Sequence, residues 1–151
     1  MRIHIIGGPG SGKSFLARKF SEQYKIPHYD LDDIQWDNSA EGYGTKRGSQ
    51  ERDSLLAGIL KKDDWIIEGV YYSWCTQCFE DADRIILLEV PRYKYRFRII
   101  RRYVRRKLNL EKGKKETLKS LSELLKWADK FQTSNLVEIK NILNKYPEKL
   151  S

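Results

Sequence analysis

The sequence predicts a three-layer α/β/α domain: a parallel sheet of four or five strands with helices on both faces. Three observations carry this. Short apolar, β-branched runs alternate with helical periodicity from residue 2 to residue 108. A glycine-rich turn joins the first strand to the first helix, and 151 residues is the length of about one domain.

Arg2-Ile3-His4-Ile5-Ile6 is a short apolar run ending at glycine, which predicts a buried strand. Gly7 to Gly12 is loop. Lys13 to Tyr24 carries Phe15, Leu16, Phe20 and Tyr24 at helical spacing. Ile26 to Leu31 reads as a second strand, and Asn38 to Gly48, rich in Gly and polar residues, as a mobile loop. Ser49 opens a helix with Leu55, Leu56, Ile59 and Leu60 on its apolar side. Trp65-Ile66-Ile67-Glu68 forms a third strand and Arg84 to Val90 a fourth. Pro91 stands where a helix begins. Tyr93, Phe97, Ile100, Val104 and Leu108 then recur every three or four residues, predicting an amphipathic helix over 92–108. Gly113 marks a break, and 117–131 and 135–146 read as two further helices. The whole chain is expected to be one domain, with an acceptor-binding insertion at 33–64 and a lid region at 98–118.

Charge is uneven. The chain holds 29 Lys and Arg against 21 Asp and Glu, a net +8. Residues 92–115 contribute twelve bases and one acid, Glu111, so this segment carries +11 and the remainder −3. Such a block seeks a polyanion: nucleic acid, an anionic membrane or nucleotide phosphates. The longest uncharged apolar run, Ile85-Ile86-Leu87-Leu88, is far short of the roughly 20 residues of a membrane helix. The N-terminus lacks the pattern of a secretory signal, and two cysteines make no disulfide scaffold. The expectation is a soluble, cytoplasmic protein with no membrane partner.

Gly7-Gly8-Pro9-Gly10-Ser11-Gly12-Lys13-Ser14 matches G-x-x-x-x-G-K-[ST] at every fixed position. Glycines let backbone N–H groups turn inward around phosphates, where a Cβ would obstruct approach. The helix starting at Lys13 directs its positive end at the same anion. Gly8, Pro9, Gly10, Ser11, Gly12, Lys13 and Ser14 are therefore the candidate nucleotide cradle, with Lys13 on the β- and γ-phosphates and the Ser14 hydroxyl on Mg²⁺. Asp30-Leu31-Asp32-Asp33 ends the second strand, on the sheet edge that carries the loop. There Asp32 is the first candidate to accept a proton from an acceptor hydroxyl, and Asp30 to hold Mg²⁺. The competing reading makes Asp32 or Asp33 the cap of a short helix. Glu68 closes the third strand, where a carboxylate is expected to anchor Mg²⁺ or its water; the competing reading makes it the cap of a turn. Glu89, inside the fourth strand, is expected to have a structural partner.

With the phosphate loop, Asp-x-Asp, Glu-Gly and Arg-Ile-x-x-Arg in this order, the chain resembles the adenylate-kinase-like branch of phosphate-loop kinases. Within it, GGPGSGKSFLARKF, IPHYDLDDIQW, WIIEGVYYSW and RIILLEVPRYKYRFRIIRR resemble the topology modulation protein group. The resemblance implies the phosphate-loop nucleoside triphosphate hydrolase fold, ATP with Mg²⁺, and a short arginine-rich helical lid. In adenylate kinases an Arg-Ile-x-x-Arg pair contacts ATP; Arg98-Ile99-Ile100-Arg101-Arg102 matches, so Arg98 and Arg102 inherit that role. On a helical wheel Lys94, Arg98, Arg101, Arg102 and Arg105 share one side, which adds Arg105 to the candidate catalytic cations.

The chain also departs from that pattern. Where adenylate kinases read D-G-F-P-R, it reads Glu68-Gly69-Val70-Tyr71-Tyr72, so Tyr72 replaces the arginine that grips the acceptor phosphate and AMP is disfavoured as acceptor. The long lid is reduced to a segment around 109–116, and the group's usual last strand and helix would come after residue 151, so the expectation is either a four-stranded sheet or a missing segment. Cys75-Thr76-Gln77-Cys78 has redox or half-zinc spacing, but four zinc ligands are not at hand and ordinary packing is expected. Trp36, Tyr43, Tyr72 and Trp74 are loop aromatics near the acceptor side, and Arg47 and Arg52 are weaker acceptor contacts. Lys126-Trp127, on a late helix, is expected to pack at the surface, with help in closing the lid as the alternative. The leading expectation is an ATP-dependent phosphotransferase acting on a small molecule. The alternative is a nucleotide-binding regulator that contacts nucleic acid through 92–115 without kinase turnover.

Overall fold

The computed structural model describes residues 1–39, 44–112 and 117–151. Its centre is a four-stranded parallel sheet in the order β2-β5-β1-β6, formed by β1 (Arg2–Gly7), β2 (His28–Asp30), β5 (Trp65–Gly69) and β6 (Arg84–Leu88). Helices α1 (Lys13–Tyr24), α2 (Leu31–Gln35), α3 (Ser49–Leu60), α4 (Thr76–Asp81), α5 (Arg92–Lys107), α6 (Leu118–Lys130) and α7 (Leu136–Leu143) complete the layers. β5 is buried along its whole length, as a strand covered on both faces must be.

Two apolar layers separate the sheet from its helices. On one side Ile3, Ile5 and Ile66 pack with Ala17 and Ile26. On the other, Ile6, Ile67 and Ile85 pack with Leu31, Leu56, Phe79, Phe131, Ile139 and Leu143. His4 lies in this second layer, with Nδ1 3.2 Å from the Ile67 carbonyl and its ring edge-on to Phe79. Burial pushes its pKa down to about 4, so it packs as a neutral ring.

Several elements differ from expectation. The loop after α2 contains an antiparallel ribbon, β3 (Trp36–Asp37) with β4 (Thr45–Lys46), a pairing too short to leave a period-two signature. Tyr43 lies outside the described residues, as does the predicted break at Gly113. α4 was missed, since its six residues span less than two turns. The last helices form one run through a π-helical turn at Phe131–Asn135. Leu150 makes a single parallel bridge to Ile85 beside β6, where a fifth strand would lie. Phe15 of α1 and Leu55 of α3 are exposed; the cores use Ala17 and Leu56 instead.

The largest difference is in α5. The face buried against α6 is Tyr95, Ile99 and Tyr103, which meet Leu121 and Ala128. The apolar stripe read from the sequence is exposed: Tyr93 69%, Phe97 64%, Ile100 41%, Val104 45% and Leu108 61%. Two apolar faces compete on this helix. The one carrying Tyr95 is packed on α6, where its phenol donates to Asp129 at 2.6 Å, a carboxylate that Arg92 and Arg96 also reach. No described helix is long and apolar enough to cross a membrane.

Cys75 and Cys78 are free, fully buried thiols. The Cys78 sulfur beside it and burial push the Cys75 thiol well up, so packing is their role. Gly69 shows how closely β5 meets α2: a Cβ there would stand 2.8 Å from Leu31 Cβ. Gly69→Ala is expected to destabilise the protein by about 1–3 kcal/mol, measured by urea unfolding. A variant as stable as the parent would contradict this packing.

Candidate functional site

The phosphate loop sits where β1 ends and α1 begins. Gly10 and Gly12 have φ of 72° and 93°, left-handed values that glycine adopts without strain. A Cβ on Gly10 would also stand 2.7 Å from the Tyr95 carbonyl oxygen, and one on Gly8 would stand 2.8 Å from the Phe131 ring. The loop is thus pressed from outside by α5 and by the π-helical turn, and glycine is required by contact as well as by conformation. Pro9 lies between these two glycines. Ser11 is buried, and its Oγ has no partner among the described residues.

Strand register sets the acids. Asp30 of β2 pairs with Glu68 of β5, so two strand-end carboxylates stand side by side at the edge that carries the loop. Glu68 is fully buried. Its Oε1 accepts from Ser14 Oγ at 2.5 Å and lies 3.6 Å from His28 Nε2; its Oε2 is 3.9 Å from Lys13 Nζ. Burial opposes its ionisation, but His28, Lys13 and Ser14 together outweigh that and hold the carboxyl below its ordinary value. Asp30 shows the opposite balance. Burial and the neighbouring Glu68 charge push it up to about 7.

Asp30, not Asp32 or Asp33, caps α2: its Oδ1 accepts from the Asp32 N–H at 2.8 Å. That leaves the Asp32 carboxylate for other contacts. Its Oδ1 accepts from Tyr71 Oη at 2.8 Å, and Trp36 Nε1 donates to the same phenol oxygen at 3.1 Å. Burial and the Asp32 charge raise the Tyr71 phenol, so it remains a hydrogen-bond donor. Tyr71 and His28 were not singled out from sequence. Their only signal is position, one two residues past the strand-end Glu-Gly and the other at the start of β2.

A cleft of about 730 Å³ brings these groups together. Lys13, Ser14, His28, Asp30, Asp32 and Glu68 line it, with Arg102 and Arg106 of α5 also on its wall. A second cavity, of about 200 Å³, lies between Gly10–Ser14 and the Arg98, Ile99 and Arg102 flank of α5. Arg98 donates to the Gly10 and Ser11 carbonyls at 3.1 and 3.0 Å, binding α5 to the loop. Arg105 pairs with Glu111 at 3.4 Å and shares an adjoining cavity with Arg98, Arg101 and Arg102.

The weaker candidates have other employment. Arg47 reaches Glu51 and the Asp33 carbonyl. Arg52 pairs with Asp53 and lies 4.6 Å over the Trp74 ring. Tyr72 donates to Glu138, and Glu89 pairs with Lys140 at 3.0 Å. Trp127 packs 6.0 Å from Phe131, beneath the loop.

Asp30→Asn keeps the cap and removes the charge. Native Asp30 titrates near pH 7 against about 3.9 unfolded. Between these values the folded chain binds the extra proton, so this group's contribution to stability falls as pH rises from 4 to 7. Without added metal, Asp30→Asn is expected to melt higher than the parent at pH 8 and to flatten the melting profile between pH 5 and 8. An unchanged slope would contradict the assignment.

No protein-family model matches the chain. It is 34% identical over 70 residues to an adenylate kinase of Lachnoclostridium phytofermentans, covering 46% of this chain and 31% of that protein. It is 30% identical over 90 residues to the uncharacterized protein YqaC of Bacillus subtilis, covering 59% and 49%. The chain thus spans between about a third and a half of the length of these relatives. Among solved structures, an uncharacterized protein from Eubacterium ventriosum superposes with a TM-score of 0.53 at 15% identity, covering 87% of this chain and 73% of that one. A shikimate kinase from Aquifex aeolicus gives 0.48 at 18%, covering 88% and 81%. Sheet order, loop and superposition agree: the chain has the three-layer α/β/α phosphate-loop fold.

Proposed function

We propose that this chain is an ATP-dependent phosphotransferase that passes the γ-phosphoryl group of Mg·ATP to a hydroxyl of a small-molecule acceptor. The observation that carries this is the shared cleft: loop lysine and serine, strand-end acids and helix arginines converge on one space. The residues fit the nucleotide and metal. The loop turns at Gly10 and Gly12, Glu68 Oε2 is buried with no hydrogen-bond partner among the described residues, and Ser14 already bonds the same carboxylate. Among the described residues no three His, Cys, Asp or Glu side chains form a metal cage. That suits Mg²⁺, which takes one or two protein oxygens and completes its shell with phosphates and water. Bound there, Mg²⁺ would neutralise charge on the β- and γ-phosphate oxygens.

In this reading the amides of Gly8 to Ser14 enclose the polyphosphate, and Ser14, Glu68 and Asp30 hold the metal. Lys13, Arg98, Arg102 and Arg105 stabilise charge on the transferred group. Asp32 takes the acceptor's proton as the new O–P bond forms and the β–γ bridging P–O bond breaks, and Tyr71 holds its carboxylate in place. Tyr72, occupied with Glu138, supports an acceptor other than AMP. Membership of the topology modulation protein group, suggested by LDDIQW and WIIEG, belongs to the same proposal. Arg98, Arg102 and Arg105 line cavities beside the loop, so nucleotide phosphates account for them without nucleic acid.

Calorimetry with Mg·ATP and an ADP-release screen over nucleotides, sugars and hydroxy acids test the reading. Lys13→Ala is expected to abolish nucleotide binding. With an active acceptor, Asp32→Asn should lower kcat by about 10²–10⁴-fold while leaving nucleotide affinity near the parent's. Nucleotide binding without turnover on any acceptor class would overturn the transferase reading and leave the binding one.

A further inference from the structure

We propose that the outer face of α5 docks the protein onto an anionic lipid bilayer. Tyr93, Phe97, Ile100, Val104 and Leu108 are 41–69% exposed. Residues 93–108 span roughly 22 Å of helix at 1.5 Å per residue. At 100° per residue the five fall within an arc of roughly 80°. Cations border the arc on both sides: Lys94 and Arg101 on one edge, Lys107 and the Asp129-paired Arg96 on the other. α5 carries nine Lys and Arg and no acid. Lys94 and Arg101 are in no ion pair among the described residues.

The chemistry of this face selects its occupant. Its charge calls for an anionic surface, and its apolar residues for a hydrocarbon boundary. A second copy is disfavoured, because stripe-to-stripe packing would bring two helices of nine cations each together. Nucleic acid answers the charge but leaves Ile100, Val104 and Leu108 unused, since aliphatic side chains offer bases no stacking surface. A peptide helix needs a groove; the stripe is convex, and none of its residues lines the cavities on the loop side of α5. A basic amphipathic helix lying in a headgroup layer meets every requirement, its apolar side entering the acyl boundary and its flanking Lys and Arg reaching phosphates. The expectation of no membrane partner rested on the absence of an apolar run long enough to span a bilayer, a criterion that does not address a helix lying in the headgroup layer.

Co-sedimentation of the full chain with phosphatidylcholine vesicles, and with equal parts phosphatidylcholine and phosphatidylglycerol, tests the proposal. Partition onto the anionic vesicles should be at least about tenfold stronger and fall with salt. The double substitution Phe97→Asp/Val104→Asp should weaken it at least about tenfold with the melting temperature unchanged, because both positions are exposed. Lys94→Gln/Lys107→Gln, which leaves the apolar stripe whole, should weaken it by about five- to tenfold. Four results would overturn the proposal. These are no partition onto anionic vesicles; partition indifferent to the Asp pair; a dimer by light scattering that the Asp pair dissolves; and single-stranded oligonucleotide or acidic-peptide binding that the Asp pair abolishes in the absence of vesicle binding.

Discussion

A buried carboxylate organises this molecule. Glu68 sits at the end of the most enclosed strand, with no exposure to water, and its ionised form is maintained by groups from two other elements: Ser14 and Lys13 of α1 and His28 of β2. An uncompensated charge at that depth would be prohibitive, so the register of β2 on β5 and the placement of α1 over the sheet edge are tied to satisfying it. The same contacts bring the loop serine and the strand-end acids to one space. The interaction that makes the fold tolerable is the one that makes the site.

Asp30 and Glu68 show how neighbouring acids divide labour. They pair in register, yet one is held below its ordinary value and the other raised to about 7. Glu68 receives the hydroxyl, the ammonium and the imidazole; Asp30 receives one backbone N–H and faces its neighbour's charge. By taking the cap of α2, Asp30 leaves Asp32 to the phenol of Tyr71, which the Trp36 indole fixes in turn. Asp30 and Asp32, two positions apart in sequence, thereby acquire different surroundings.

α5 serves two masters. Its inner face is fixed to α6 through Tyr95 and Asp129, and its loop-side flank is tied through Arg98 to the Gly10 and Ser11 carbonyls. These attachments orient the arginines toward the phosphate loop and, as a geometrical consequence, turn a second apolar stripe outward. Hydrophobic periodicity reports that a helix has an apolar side. It does not report which of two candidate sides the rest of the chain will cover.

Local pattern was enough for much of this protein. The glycine-lysine-serine loop, the alternation of strands and helices, and the strand-end positions of Asp30 and Glu68 are set by short-range conformational rules, and each stands where the sequence predicts. The helix-capping role of Asp30, the phenol on Asp32, the imidazole beside Glu68 and the Phe131 ring against Gly8 join residues distant along the chain or competing locally, and only packing settles them. The same holds for the exposed stripe of α5. Periodicity is a property of one helix, whereas burial depends on the partner that helix meets, here the Leu121 and Ala128 face of α6 against Tyr95, Ile99 and Tyr103.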